Sequence, residues 1–95
     1  MDYKIELSDE ALEDFDSLDN SIKERITNFF DRLKRIENPK MLGKALVGNL
    51  AGCWRYQIGK YRIGAKIDNG RFVILVIAID HRKEFYKKLD KRFKK

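Results

Sequence analysis

CWRYQIGKYRIGAKIDNGRFVILVIAIDHRKEFY, residues 53–86, decides the fold. Polar and apolar side chains alternate here with period two, and Gly59-Lys60 and Asn69-Gly70 fall where hairpin turns belong. A Gly-X pair suits a type II′ turn and Asn-Gly a type I′ turn, so Cys53 to Ile58, Tyr61 to Asp68 and Arg71 to Ile79 are expected to form a three-stranded antiparallel meander. Phe72 to Ile79 is apolar on both faces, which predicts a central strand covered from each side. On the middle strand Tyr61, Ile63, Ala65 and Ile67 share one face, and Arg62, Gly64 and Lys66 the other. Trp54, Tyr56 and Ile58 oppose Cys53, Arg55 and Gln57 in the same way, so Trp54 belongs to packing. With helices on the apolar side, Arg55, Gln57, Arg62 and Lys66 are expected to line an open basic floor.

Working outward toward the N-terminus, Tyr3, Ile5 and Leu7 alternate with Lys4 and Glu6, the pattern of a half-buried strand. Ser8 is a plausible N-cap for a short helix whose apolar positions are Ala11, Leu12, Phe15 and Leu18. The acids Glu10, Glu13, Asp14 and Asp16 read as its solvated face. Ser21 and Glu24 have capping-box spacing, and Ile22, Ile26, Phe29, Phe30, Leu33 and Ile36 make one apolar stripe, ended by Asn38-Pro39. The two helices are expected to lie on the sheet as a hairpin. Met41 to Gly52 reads as a loop anchored by Leu46 and Leu50, with Lys44 available to a phosphate. Past Ile79, Phe85, Tyr86 and Leu89 recur at helical spacing among lysines, predicting a short basic C-terminal helix. The fold class is α+β, in one domain over residues 1–95.

Charge is unevenly distributed. Residues 1–21 carry eight acids and one base, a net of −7, which leaves +13 on the remainder of a chain whose total is +6. A polyanion is the natural partner of the basic part. A single cysteine rules out an internal disulfide, and no apolar run approaches the ~20 residues of a membrane-spanning helix, so the reading is a soluble, cytoplasmic protein without membrane contact.

One His and one Cys cannot supply a structural zinc site, and no glycine-rich nucleotide cradle is present, so neither metal nor cofactor is expected. RNA can still be cut by its own 2′-hydroxyl. That reaction needs a base, cations on the phosphate and an acid for the leaving oxygen. His81, whose side chain titrates near pH 6.5 when unperturbed, suits proton transfer. Arg62 and Arg82 suit the charge. Lys44, Arg55, Lys60 and Lys66 can position the backbone, and Tyr56, Tyr61 or Tyr86 can stack on a base or reach a phosphate.

GKYR at 59–62, DNG at 68–70, the apolar strand and DHRKEFY at 80–86 together resemble the RelE/ParE toxin superfamily, as does an L-x-G element at Leu46–Gly48 ahead of Cys53-Trp54-Arg55. The resemblance spans essentially the whole chain. It implies a RelE-like fold and the toxin of a toxin-antitoxin pair, a ribosome-dependent endoribonuclease that cuts mRNA and is neutralised by a RelB-like antitoxin. It assigns Arg62 to phosphate stabilisation, Arg82 to acid or charge stabilisation, Tyr86 to orienting the cleaved nucleotide, and His81 to the histidine of related nucleases. Where RelE-like chains often carry two lysines, this one has Arg55 and Gln57. The alternatives are therefore a non-cleaving ParE-like inhibitor of DNA gyrase and a plain nucleic-acid-binding module.

Overall fold

The computed structural model describes residues 2–93, and of Arg82 the backbone alone. The chain runs β1 (Lys4–Leu7), α1 (Asp9–Asp16), α2 (Asn20–Arg35), β2 (Lys44–Ala45), β3 (Trp54–Ile58), β4 (Tyr61–Asp68), β5 (Val73–His81) and α3 (Arg82–Phe93), with 3₁₀ turns at Pro39–Leu42 and Gly48–Leu50. The meander forms as expected, and two edge strands extend it to five in the order β1-β5-β4-β3-β2. β1 finds its place alongside β5 in parallel, Lys4 opposite Val73 and Leu7 opposite Val76. β2 arises inside the expected loop, with Lys44 and Ala45 pairing with Arg55 and Trp54.

Both faces of the sheet are covered. Ala11 of α1 and Ile26 and Leu33 of α2 pack on Tyr56, Ile63, Ala65, Ile74, Val76 and Ile79. On the other face Phe85 and Leu89 of α3 pack on Cys53, Ile77 and Ala78, with Leu46 and Leu50 half-buried beside them. A bulge makes this possible. Gly64 stands opposite Ala78 and Ala65 opposite Val76, so Ile77 is an extra residue on β5. Ile77 and Ala78 thereby both serve the α3 core while Val76 and Ile79 serve the other. α3 comes so close that a Cβ on Gly64 would lie 2.7 Å from Leu89 Cδ1 and 3.1 Å from Phe85 Cζ. The basic floor is thus not open along its length, because the terminal helix lies across its middle.

Three local expectations are corrected. Lys23 N donates to Asp19 O at 2.9 Å, so α2 starts at Asn20 and Asp19 is its N-cap. Ser21 then lies inside the first turn and the Ser21–Glu24 capping box does not form. Asn69-Gly70 makes no two-residue turn either. Neither residue has positive φ, and four residues, Asn69 to Phe72, separate the closing pair Asp68–Val73. Asp68, the last strand residue, closes the longer loop by accepting from Arg71 N at its Oδ1 at 3.1 Å, and Asn69 Oδ1 accepts from Tyr3 Oη at 2.6 Å. Phe72 instead takes the left-handed conformation, φ 55°, held by Lys4 N on its carbonyl and by the Tyr3 ring edge-on at 5.4 Å. The Gly59-Lys60 turn does form as type II′, with φ positive at Gly59 and not at Lys60.

The third correction concerns Asp14. It is buried, and its carboxylate takes Arg92 through Nη1–Oδ2 at 2.6 Å and Nη2–Oδ1 at 3.1 Å, Lys88 Nζ at 3.1 Å and Ile79 N at 3.0 Å. β1 ends at Leu7, so β5 beyond Val76 has no strand neighbour on that side. Asp14 accepts the Ile79 N–H and Arg92 donates to Ile77 O at 3.0 Å, completing the ladder with side chains. Asp80 joins through Lys88 at 2.6 Å.

Candidate functional site

Paired residues on neighbouring strands share a face, so the register arranges the cations in rows. Lys44 stands beside Arg55, and Arg62 stands between Gln57 and Asp80, all on the face of α3. The second turn of α3 brings Tyr86 over these rows. Arg55 Nη1 donates to Tyr86 Oη at 3.1 Å, and the Arg62 guanidinium lies over the Tyr86 ring at 6.0 Å from its centroid. The buried Phe85 meets the same ring edge-on at 5.0 Å, which fixes the half-exposed tyrosine from beneath. Nε of both Arg55 and Arg62 is buried without a hydrogen-bond partner among the described residues.

At the end of the sheet, Lys60, Arg62, His81 and Lys83 border one cleft beside the β3–β4 turn. His81 is the last residue of β5 and stands opposite Tyr61, the two rings edge-to-face at 4.8 Å. That row points to the α1–α2 side of the sheet. His81 and Arg62 therefore meet at a shared rim and not on one face.

The remaining predicted residues divide. The Arg82 side chain lies outside the described residues. Lys66 stands opposite Leu75, four residues along β4 from Arg62, about 13 Å away along the strand. α3 crosses Gly64 between them, and Lys66 Nζ instead lies over the Phe93 ring at 4.9 Å. Tyr56 is buried, donating to Pro39 O at 2.8 Å, with burial pushing its hydroxyl pKa well up, so it faces no ligand. Trp54 packs on the core and donates to Lys40 O at 3.0 Å.

The Asp14 network went unread in the sequence although a signal was present. Asp14 lies three residues after Ala11 and four before Leu18, inside the apolar stripe, where a solvated acid does not belong. Burial raises the Asp14 pKa, yet Arg92, the Ile79 N–H and Lys88 outweigh it and hold the carboxyl below its ordinary value. The Asp14 carboxylate in turn raises Arg92, and Asp80 together with Asp14 raises Lys88 against the effect of burial.

A family description, ParE toxin of type II toxin-antitoxin systems (parDE), matches residues 5–86. Toxin RelG of Mycobacterium tuberculosis is 29% identical over 89 residues, covering 93% of this chain and all of that one. Among solved structures, the toxin-antitoxin complex RelBE2 of M. tuberculosis contains a chain of 29% identity and TM-score 0.79, all of it covered by 86% of this chain. A double arginine-to-alanine variant of Escherichia coli RelE in the free state has TM-score 0.75 at 18% identity, over 99% of this chain and 97% of that one, and speaks for the fold. With the family description matching most of its length, the chain belongs to the ParE toxins of type II toxin-antitoxin systems, within the RelE/ParE superfamily.

Proposed function

We propose that this toxin is a ribosome-dependent endoribonuclease that cleaves mRNA in the cytoplasm without metal or cofactor, and that a RelB-like antitoxin silences it. One observation carries the reading: Tyr86 is held between Arg55 and Arg62 beside a cleft bordered by Lys60, His81 and Lys83. An aromatic ring fixed by two guanidinium groups offers a stacking surface for a base and charge for the adjoining phosphate. In the proposed reaction His81 takes the 2′-hydroxyl proton, the 2′-oxygen bonds to phosphorus, and the bond from phosphorus to the 5′-oxygen breaks. The products are a 2′,3′-cyclic phosphate and a 5′-hydroxyl, the latter receiving its proton from Arg82 or from water. Arg62 meets the extra negative charge on the phosphoryl oxygens. Lys44 and Arg55 position the strand, with Lys60 at the rim. Lys66, beyond α3 and over the Phe93 ring, stands apart from this cluster.

Primer extension on messages from cells expressing the protein is expected to reveal codon-linked breaks. Arg62→Ala should reduce cutting about 100-fold, and Tyr86→Phe, which removes the bond from Arg55, about tenfold, both with unchanged thermal unfolding. Arrested growth with intact messages would refute cleavage.

A specific observation favours a second reading, ParE-like inhibition of gyrase without cutting. Gln57 occupies the row beside Arg62, and His81 turns to Tyr61 on the other side, so the only carboxylate in that row, Asp80, is already committed to Lys88. Loss of supercoiling by purified gyrase in the presence of the protein would select it.

A further inference from the structure

Two clefts meet at the β3–β4 turn. One is the cleft of Lys60, Arg62, His81 and Lys83; the other, on the opposite side of the turn, is lined by Arg25, Asn28, Phe29 and Arg32 of α2, and both include Gln57 and Gly59. Arg25, Asn28, Phe29 and Arg32 follow at i, i+3, i+4 and i+7, so they form one stripe about 10 Å long, in which Arg25, Asn28 and Arg32 are exposed and Phe29 turns inward onto Tyr56. No ion pair occupies Arg25, Arg32, Lys60 or Lys83 among the described residues. Of the α2 carboxylates, Glu24 and Asp31 lie about 100° or more around the helix from Arg25 and border the stripe beside Asn28, with Asp31 turned to Lys34 at 3.4 Å. Arg32 lies over the Phe29 ring at 6.0 Å, and the Arg25 guanidinium comes so close to Gly59 that a Cβ there would sit 3.1 Å from Nη2.

We infer that this stripe is a second phosphate-binding surface, which carries an RNA strand from the candidate site around the β3–β4 turn onto α2. The inference rests on the candidate site's binding RNA, not on its cutting it. Continuity selects RNA over an acidic peptide: the stripe adjoins cations already suited to phosphate, and Asn28 and Gln57 can bond sugar hydroxyls and phosphate oxygens alike. The glycine at 59, besides its φ of 59°, lets the Arg25 guanidinium approach the bend closely, and a Cβ there would press on it.

Fluorescence anisotropy with labelled single-stranded RNAs tests this on the purified full chain across a salt series. Arg25→Gln/Arg32→Gln is expected to weaken binding of an RNA of about twelve nucleotides roughly tenfold, and to reduce the slope of log K against log salt by about 1.4. An RNA of about four nucleotides, held by the Arg62 site alone, should bind unchanged. Lys4→Gln, on the far edge of the sheet, should alter neither RNA. An unchanged slope for the long RNA, or no measurable binding of wild type at low salt, overturns the inference. Displacement of polyglutamate by the double variant with no change toward RNA also overturns it and assigns the surface to an acidic protein. Loss of slope in a protein that cuts no message leaves this surface standing and removes the cleavage reading instead.

Discussion

Asp14 shows how much one side chain can decide. Its side chain is 7% exposed and that of Arg92 13%, so neither ion can turn to water if the other is removed. Asp14→Ala is expected to cost about 3 kcal/mol in urea unfolding, the magnitude of a broken buried pair. The pH dependence follows from the lowered carboxyl. A carboxyl with a folded pKa below its unfolded one stabilises the fold fully above the unfolded value and loses that contribution as pH falls through the folded one. Stability of the wild type should therefore fall on acidification below about pH 4, and the Asp14→Asn variant, weaker at neutral pH, should show a shallower fall. Tyr56 makes a smaller contribution: Tyr56→Phe leaves Pro39 O without its donor and should cost about 1 kcal/mol. Sequence alternation placed Arg55, Arg62, Tyr56 and Trp54 on their correct faces because a strand's period is two. It was unable to place Asp14, whose environment is built from α3, some seventy residues away.

Among the elements, α3 has the widest influence. It anchors through Phe85 and Leu89 over Gly64, carries Tyr86 to the arginines and ends in the Asp14 clamp. Gly64→Ala is expected to push it outward, costing about 1–3 kcal/mol and speeding amide exchange in α3 more than in α2. Leu89→Ala made in that background should cost less than it does alone, since it removes the atoms that the new methyl meets. The sequence announced this helix by its 3.6-residue spacing, and the meander by its turns and alternation. The helix's resting place was not announced, because Arg62, Gly64 and Lys66 read as an open polar face; the small side chain in the middle was the sign that something would approach. The β5 bulge was equally silent: VILVIAI is apolar throughout, so a change of face leaves no mark in it.

At the scale of the whole molecule, charge is sorted by use. The acids of α1 are turned partly against α3, where Arg92 meets Asp14 and Glu10, while the cations around the β3–β4 turn have no carboxylate partner among the described residues. A cognate antitoxin, if it competes for that surface with acidic groups, should bind more weakly as salt rises, and co-purification at low and high salt checks this. The resemblance legible in residues 46–86 reached the family correctly, because its motifs sit on the turn, strand and helix that organise the site. It expected His81 beside Arg62 and Tyr86, whereas pairing with Tyr61 turns His81 to the other side of the sheet.

The parallel pairing of β1 with β5 also sets an order in time. Lys4 waits for Val73, and Asp14 for Arg92, so no early portion of the chain can close the sheet or seat its last helix. Ribosome-bound chains arrested at residue 70 are expected to be digested readily by protease, and chains released with α3 complete to resist it. During synthesis the sheet is thus incomplete until both β5 and α3 have emerged, and no earlier fragment can present Tyr86 to Arg55 and Arg62.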